Sequence, residues 1–124
     1  MSKLEDLVPP LDLCQQIHAG KFADSALVWE LQDDETWWEV ILRSEARGEP
    51  AYPAPTLAEI MEALDAMYGG DIDVCAWNII GQGAWGVQIM DMGRTVNYSE
   101  SDTNPATAAL RLWLEMNERK KENA

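Results

Sequence analysis

The chain has 124 residues, of which 22 are acidic and nine are basic, so its formal net charge is −13 at pH 7. This charge repels nucleic-acid phosphates and anionic membranes, and we expect neither as a direct partner. Hydrophobic residues make up 47% of the chain and include six Trp, which is typical of a folded globule and excludes a disordered acidic tail.

The length fits one hydrophobic core, and we expect a single domain over residues 1–124. No stretch approaches the roughly 20 consecutive apolar residues that span a bilayer. The N-terminal stretch "MSKLEDLVPP" has acids where a signal peptide has an apolar run, so we expect a cytoplasmic protein.

The first half of the chain predicts a short helix and a β-hairpin. Two prolines at the start and Gly20 at the end predict the helix from Pro10 to His18. The segments "SALVWELQ" and "WWEVILRS" follow, separated by the acidic turn "DDET". Their β-branched and aromatic residues predict the two strands of the hairpin.

The clearest helix signal is "PAPTLAEIMEALDAM". Thr56 and Glu59 have the spacing of a capping box, which predicts a helix from about Leu57 to Met67, ended by the two glycines that follow. The apolar side chains of this segment recur at helical spacing and predict one buried stripe. The stripe consists of Leu57, Ile60, Met61 and Leu64.

A second hairpin is predicted from "DVCAWNII" and "WGVQIMD", joined by "GQGA". The letters "GQGAWG" match the dinucleotide-binding pattern G-x-G-x-x-G, in which a helix follows the glycines and receives the pyrophosphate. The residues after Gly86 alternate at period two, as in a strand, so we reject nucleotide binding. We interpret Gly81 and Gly83 as turn residues and Gly86 as a strand glycine. A further short strand is expected near residues 95–98.

The C-terminal segment "NPATAALRLWLEMNERKK" predicts a heavily buried helix from Pro105 to about Arg119, because Asn104 can cap it and proline is favoured at the first position. The element order is then α-β-β-α-β-β-α. It predicts an α+β fold, with an antiparallel sheet of two hairpins and helices packed on one face.

The residues that carry most catalytic and metal chemistry are scarce. His18 is the only histidine, and Cys14 and Cys75 stand alone in separate predicted elements, where we expect reduced core thiols. We therefore expect no metal site and no cofactor. Carboxylates are too abundant for any pair to mark an active site, so we expect a protein that is not an enzyme, with a carboxylate-based enzyme as the least favoured class.

The second strand of the first hairpin predicts a candidate interaction patch. Neighbours in a strand point to opposite faces, and the more apolar set, Trp38, Val40 and Leu42, is expected to face the core. The other face carries the patch, because Trp and Arg are favoured in interface cores. Its residues are Trp37, Glu39, Ile41 and Arg43. The alternative is that Trp37 packs under a loop or the C-terminal tail.

Four segments resemble a family of small uncharacterised proteins found in gut Bacteroides-type bacteria and their phages or mobile elements. They are "LVPPLDLCQQI", "FADSALVWE", "AYPAPTLAEIMEAL" and "NPATAALRLWLE". The resemblance implies a setting, that of a phage or prophage accessory protein, and transfers no catalytic residue.

The favoured hypothesis for function is a non-enzymatic accessory protein that binds another protein, or itself as a homodimer through an uncovered apolar face or an unpaired hairpin edge. The alternative is an acidic mimic of DNA that blocks a host nucleic-acid enzyme, motivated by the charge of −13. Such mimicry requires carboxylates spaced along one surface as phosphates are along a duplex.

Overall fold

The structure, a computed structural model, describes residues 4–17, 21–32, 37–46, 51–67, 73–79, 84–91, 94–101 and 104–122. The helices are α1 (Leu11–Cys14), α2 (Leu57–Met67) and α3 (Pro105–Glu122). The strands are β1 (Leu27–Leu31), β2 (Trp38–Leu42), β3 (Ala51–Pro53), β4 (Asp73–Ile79), β5 (Ala84–Asp91) and β6 (Arg94–Ser101). Two 3₁₀ turns, Leu4–Leu7 and Arg43–Glu45, flank the first sheet. Every described strand pair is antiparallel, and the predicted α+β class is confirmed.

The two hairpins lie in two separate three-stranded sheets, with strand orders β2-β1-β3 and β4-β5-β6. The expected single sheet is not formed, because the second edge of β1 pairs with β3, a strand that the sequence did not predict. β3 ends in Pro53, opposite Val28. The neighbouring N–H of Ala54 donates to Leu27 O at 3.1 Å, so Pro53 occupies a position where no N–H is needed.

The last glycine of the G-x-G-x-x-G motif lies in the second sheet. Gly86 is buried inside β5, between its register partners Trp77 on β4 and Glu100 on β6, and the chain continues as a strand to Asp91. The helix that a dinucleotide site requires therefore does not follow Gly86. Gly81 and Gly83 lie outside the described residues.

Helix α2 has the predicted bounds and cap. The N–H of Thr56 donates to Glu59 Oε1 at 2.8 Å, and the N–H of Glu59 donates to Thr56 Oγ1 at 3.4 Å. The second carboxylate oxygen of Glu59 accepts the N–H of Ala26, just before β1, at 3.0 Å. Ile60 and Leu64 of the predicted stripe are fully buried. The capping residue thus also fixes α2 against the first sheet.

Helix α3 begins at the predicted cap. Asn104 Oδ1 accepts the N–H of Thr107 at 2.8 Å, while Asn104 Nδ2 donates to Val8 O at 2.9 Å. The helix packs against α2 and the second sheet, and its heavy burial is confirmed. The buried residues are Ala106, Thr107, Ala108, Ala109, Leu110, Leu112, Trp113 and Met116. The helix runs to Glu122, slightly past its predicted end.

Trp29 joins two hydrophobic cores. The larger core lies between α1, α2, α3 and β5, and the smaller one covers a face of the first sheet with Val8, Leu27, Val40 and Ala54. Trp29 packs against both cores, and its indole N–H donates to Pro9 O at 3.1 Å. The first helix is shorter than predicted, ending at Cys14, and His18 lies outside the described residues.

We predict that replacing Asn104 destabilises the fold through both ends of its amide. Asn104→Ala removes the helix cap and leaves the buried Val8 carbonyl without this donor, so the free energy of unfolding should fall by about 2 kcal/mol or more. Asn104→Asp keeps the capping oxygen but replaces the donor with a carboxylate oxygen that faces Val8 O, so we expect it to be destabilised as well. Urea unfolding followed by tryptophan fluorescence measures both variants, and an Asn104→Asp protein as stable as wild type would show that the bond to Val8 contributes nothing.

Candidate interaction surface

Exposed hydrophobic side chains lie at both ends of β2 and on the N-terminal turn that contacts it. In the part of the chain that the structure describes, five large ones are exposed: Leu4 (38%), Leu7 (49%), Trp37 (49%), Leu42 (44%) and Tyr98 (39%). The first four belong to the N-terminal 3₁₀ turn or to the two ends of β2, and the turn contacts β2. Trp37 and Leu42 point to opposite faces of the strand. Single exposed hydrophobics are ordinary, whereas several around one element are typical of a binding surface. We call Leu4, Leu7, Trp37 and Leu42 the β2 edge patch.

The patch borders the edge of β2 that faces away from β1. Arg43 N–H donates to Ala26 O at 2.9 Å, and Gln32 N–H donates to Trp37 O at 3.0 Å. In an antiparallel ladder alternate residues bond to the same neighbour, so the odd-numbered residues from Trp37 to Arg43 direct their backbone groups at β1. Trp38, Val40 and Leu42 direct theirs to the other side, where the described part of the chain places no strand.

The predicted interaction patch lies on the same strand, but only part of it is exposed to solvent. Trp37 is 49% exposed, whereas Glu39 and Ile41 are half-buried. Their register partners on β1, Glu30 and Val28, are only 1% and 4% exposed. The centre of this face is therefore covered, and its accessible part is the end at Trp37.

Arg43, a residue of the predicted interaction patch, forms hydrogen bonds that stabilise the fold. Its Nε donates to Ser25 O at 2.6 Å, and one terminal nitrogen lies 3.1 Å from Ser25 Oγ and 3.5 Å from Phe22 O. Phe22 has a φ of 55°, in the left-handed region that strains a residue with a side chain. This backbone turn directs the Phe22 ring against Trp113, with ring centroids 5.0 Å apart. The guanidinium thus holds a strained turn in place.

Alternation along β2 predicted the core face correctly. Val40 is 3% exposed in the smaller core, and the Trp38 ring lies 5.6 Å from that of Tyr52, its neighbour on the same face. Leu42 shares this face but lies at its end, where it is exposed. Sequence reasoning missed Leu42, Leu4 and Leu7 as surface residues. The apolar pair three residues apart in "LEDL" was the available signal for the two N-terminal leucines.

Phe22 contributes to the lining of two open grooves. One, of about 330 Å³, is mostly apolar and is lined by Lys21, Phe22, Ala63, Ala66, Met67, Trp113 and Asn117. The other, of about 370 Å³, contains Asp24, Glu59 and Glu62. Both carboxylate oxygens of Glu59 accept backbone hydrogen bonds, and Asp24 and Glu62 are exposed. We assign no catalytic role to these acids.

Cys14 is a buried thiol in α1, as expected. Its Sγ lies 3.5 Å from Pro9 O, and burial raises the pKa of the thiol from 9.0 to about 12. Cys75 lies in β4, the predicted strand. Within the described residues, no group of three or more His, Cys, Asp and Glu side chains is arranged to hold a metal ion. None of the described helices has the length and apolar character needed to cross a membrane.

No family model, curated protein or solved structure matches the chain.

We predict that Arg43→Met destabilises the fold by about 1 kcal/mol, because the variant keeps the aliphatic stem and loses the hydrogen bonds to the strained turn. The loss should be accompanied by a change in tryptophan fluorescence in the native state, since the Phe22 ring contacts Trp113. Urea unfolding gives the stability. Arg43→Lys is the control for charge, and wild-type stability in both variants would contradict the role assigned to the guanidinium.

We predict that Cys14 resists iodoacetamide in the native protein at mildly alkaline pH and reacts in urea, because the thiolate is the reactive form and burial raises the pKa of this thiol to about 12. A raised thiol pKa means that the folded state holds the proton more tightly. The contribution of Cys14 to stability is therefore complete below pH 9.0 and falls as the pH rises toward 12. Peptide mass spectrometry identifies the alkylated residue, and rapid native alkylation at Cys14 would contradict its burial.

Proposed function

We propose that the protein is a non-enzymatic binding module that acts through protein–protein contact at the β2 edge patch. The observation that carries this proposal is that four of the five exposed large hydrophobic side chains in the described residues lie on the N-terminal 3₁₀ turn or at the two ends of β2, which this turn contacts. The resemblance described above supports the setting of a phage or prophage accessory protein.

The patch offers apolar side chains to a partner. Covering them removes hydrophobic surface from water, which stabilises a complex by about 25 cal/mol per Å². A partner that presents a complementary apolar surface fits this feature.

An acidic mimic of DNA would bind through charged groups and not through apolar side chains. Its binding would rest on carboxylates and would weaken steeply as salt screens them. Contact at the β2 edge patch rests on apolar burial, which salt weakens far less. Salt dependence therefore separates the two functions.

We predict that Trp37→Lys and Leu42→Lys each weaken partner binding by about tenfold or more, the size expected for an exposed anchor whose loss costs above about 1 kcal/mol. The matched control is Tyr98→Lys, because Tyr98 is similarly exposed but lies on the second sheet. The measurement is quantitative mass spectrometry of proteins that each immobilised variant retains from extract of a gut Bacteroides-type bacterium, before and after phage infection. Urea unfolding first establishes that the variants fold.

The expected result is one set of proteins retained by wild type and Tyr98→Lys through high salt, and lost from the two patch variants. Equal retention by all four proteins would overturn the proposed site. Release of a nucleic-acid enzyme by modest salt from every variant would favour the acidic mimic instead.

A further inference from the structure

We propose that the open groove between α2 and α3 binds a small aromatic carboxylate, with the carboxylate of the ligand at Lys21. The groove has a volume of about 330 Å³ and is lined by both helices together with Lys21 and Phe22. We call it the Lys21 groove. Its lining shares no residue with the β2 edge patch, so this inference goes beyond the proposed function.

The size of the Lys21 groove fits a small molecule. Pockets that bind small molecules have volumes of about 300–1,000 Å³, and the volume of about 330 Å³ lies at the lower end of that range. This volume equals that of about eleven water molecules at roughly 30 Å³ each. A ligand of about ten to fifteen non-hydrogen atoms would therefore fill it.

The apolar part of the lining favours a flat ligand body. Ala63 and Ala66 lie three residues apart on α2, so they share one helix face, and their short side chains leave space beside it. Phe22 and Trp113 supply the aromatic part, with ring centroids 5.0 Å apart in an edge-to-face arrangement. A further ring packs well against such side chains, either offset or edge-to-face.

The aromatic part of the lining is held in place by the fold. Trp113 is buried in the larger core, and the backbone turn at Phe22 directs its ring against Trp113. Arg43 stabilises this turn through Phe22 O and Ser25. A binding site that is already ordered costs little conformational entropy when a ligand enters.

The charge of the lining favours an anion. Among the described residues that line the groove, Lys21 is the only charged one, and Asn117 adds an amide that can donate to a carboxylate oxygen. Lys21 is exposed, so pairing with a carboxylate should improve affinity by no more than about fivefold. Glu62 and Asp65 are exposed on α2 and oppose an anion. The cation therefore adds more to selectivity than to affinity.

Hydrocinnamate and hydrocinnamamide are the probes for this site, because they have the same shape and differ by one charge. A ligand of about eleven non-hydrogen atoms in an open groove should bind with a dissociation constant of about 1 mM. Heteronuclear NMR measures it from the side-chain amide of Asn117 and the methyl group of Met67, which both line the groove. We expect both signals to shift and saturate, with hydrocinnamate bound about threefold more tightly than hydrocinnamamide.

Ala66→Leu tests the location of the site without entering the core. Ala66 is exposed on α2, and leucine is also a strong helix former, so the variant should fold. The larger side chain occupies the groove, and we expect it to weaken hydrocinnamate binding by about tenfold or more. Ala58→Leu is the matched control, because Ala58 is exposed on the same helix but does not line the groove. It should bind hydrocinnamate as wild type does.

Lys21→Met tests the charge and keeps the length of the aliphatic stem. We expect this variant to bind the two probes with equal affinity. Arg94→Met is the matched control, because it removes the same charge from an exposed position on β6, outside the lining of the groove. The preference for hydrocinnamate should persist in Arg94→Met.

Saturable shifts that Ala66→Leu weakens, with a charge preference that Lys21→Met abolishes, support the proposal. Equal binding of the two probes by wild type overturns the assignment of a carboxylate ligand. Hydrocinnamate binding that Ala66→Leu leaves unchanged, or the absence of shifts at about ten times the expected dissociation constant, overturns the site itself.

Discussion

Two buried backbone carbonyls near the N-terminus, those of Val8 and Pro9, hold the two halves of the fold together. Asn104 donates to the first, and Trp29 and Cys14 donate to the second. These three donors come from the cap of α3, from β1 and from α1. A buried carbonyl left without a donor costs about 1–3 kcal/mol, so the path of this short segment fixes where the first sheet lies on the helices. The N-terminal segment thus connects the first sheet to α1 and α3.

The helix caps extend the same principle. Asn104 and Glu59 each satisfy the first turn of a helix and also bind a backbone group of a distant segment, Val8 O and Ala26 N–H respectively. β1 is thus held from several directions, and β3 leads directly into the cap of α2. Among the described strands of the first sheet, β2 is the one that carries no such attachment beyond its pairing with β1 and its contact with the N-terminal turn. Within the described residues, most of the exposed large apolar side chains lie at the ends of this strand and on the turn that contacts it.

Local chemistry made the helices and strand faces predictable, and distant contacts made the rest unpredictable. The capping box of Thr56 and the Asn104-Pro105 pair act within one turn, so the sequence locates both helix starts. Period-two alternation assigns Val40 to the core. The three residues of β3 have no such pattern, and only their pairing with β1 makes them a strand. Likewise, nothing near Arg43 in the sequence indicates that its guanidinium binds Ser25 and Phe22, 18 and 21 residues away.

The acidity of the chain and its exposed apolar side chains are complementary properties. Exposed apolar surface invites nonspecific association, and a net charge far from zero limits it. Here the charge of −13 is spread over the whole chain, whereas β2 itself carries one acid, Glu39. General repulsion then keeps weak, poorly matched encounters short, while a partner that covers the apolar side chains at the ends of β2 meets little negative charge on the strand itself.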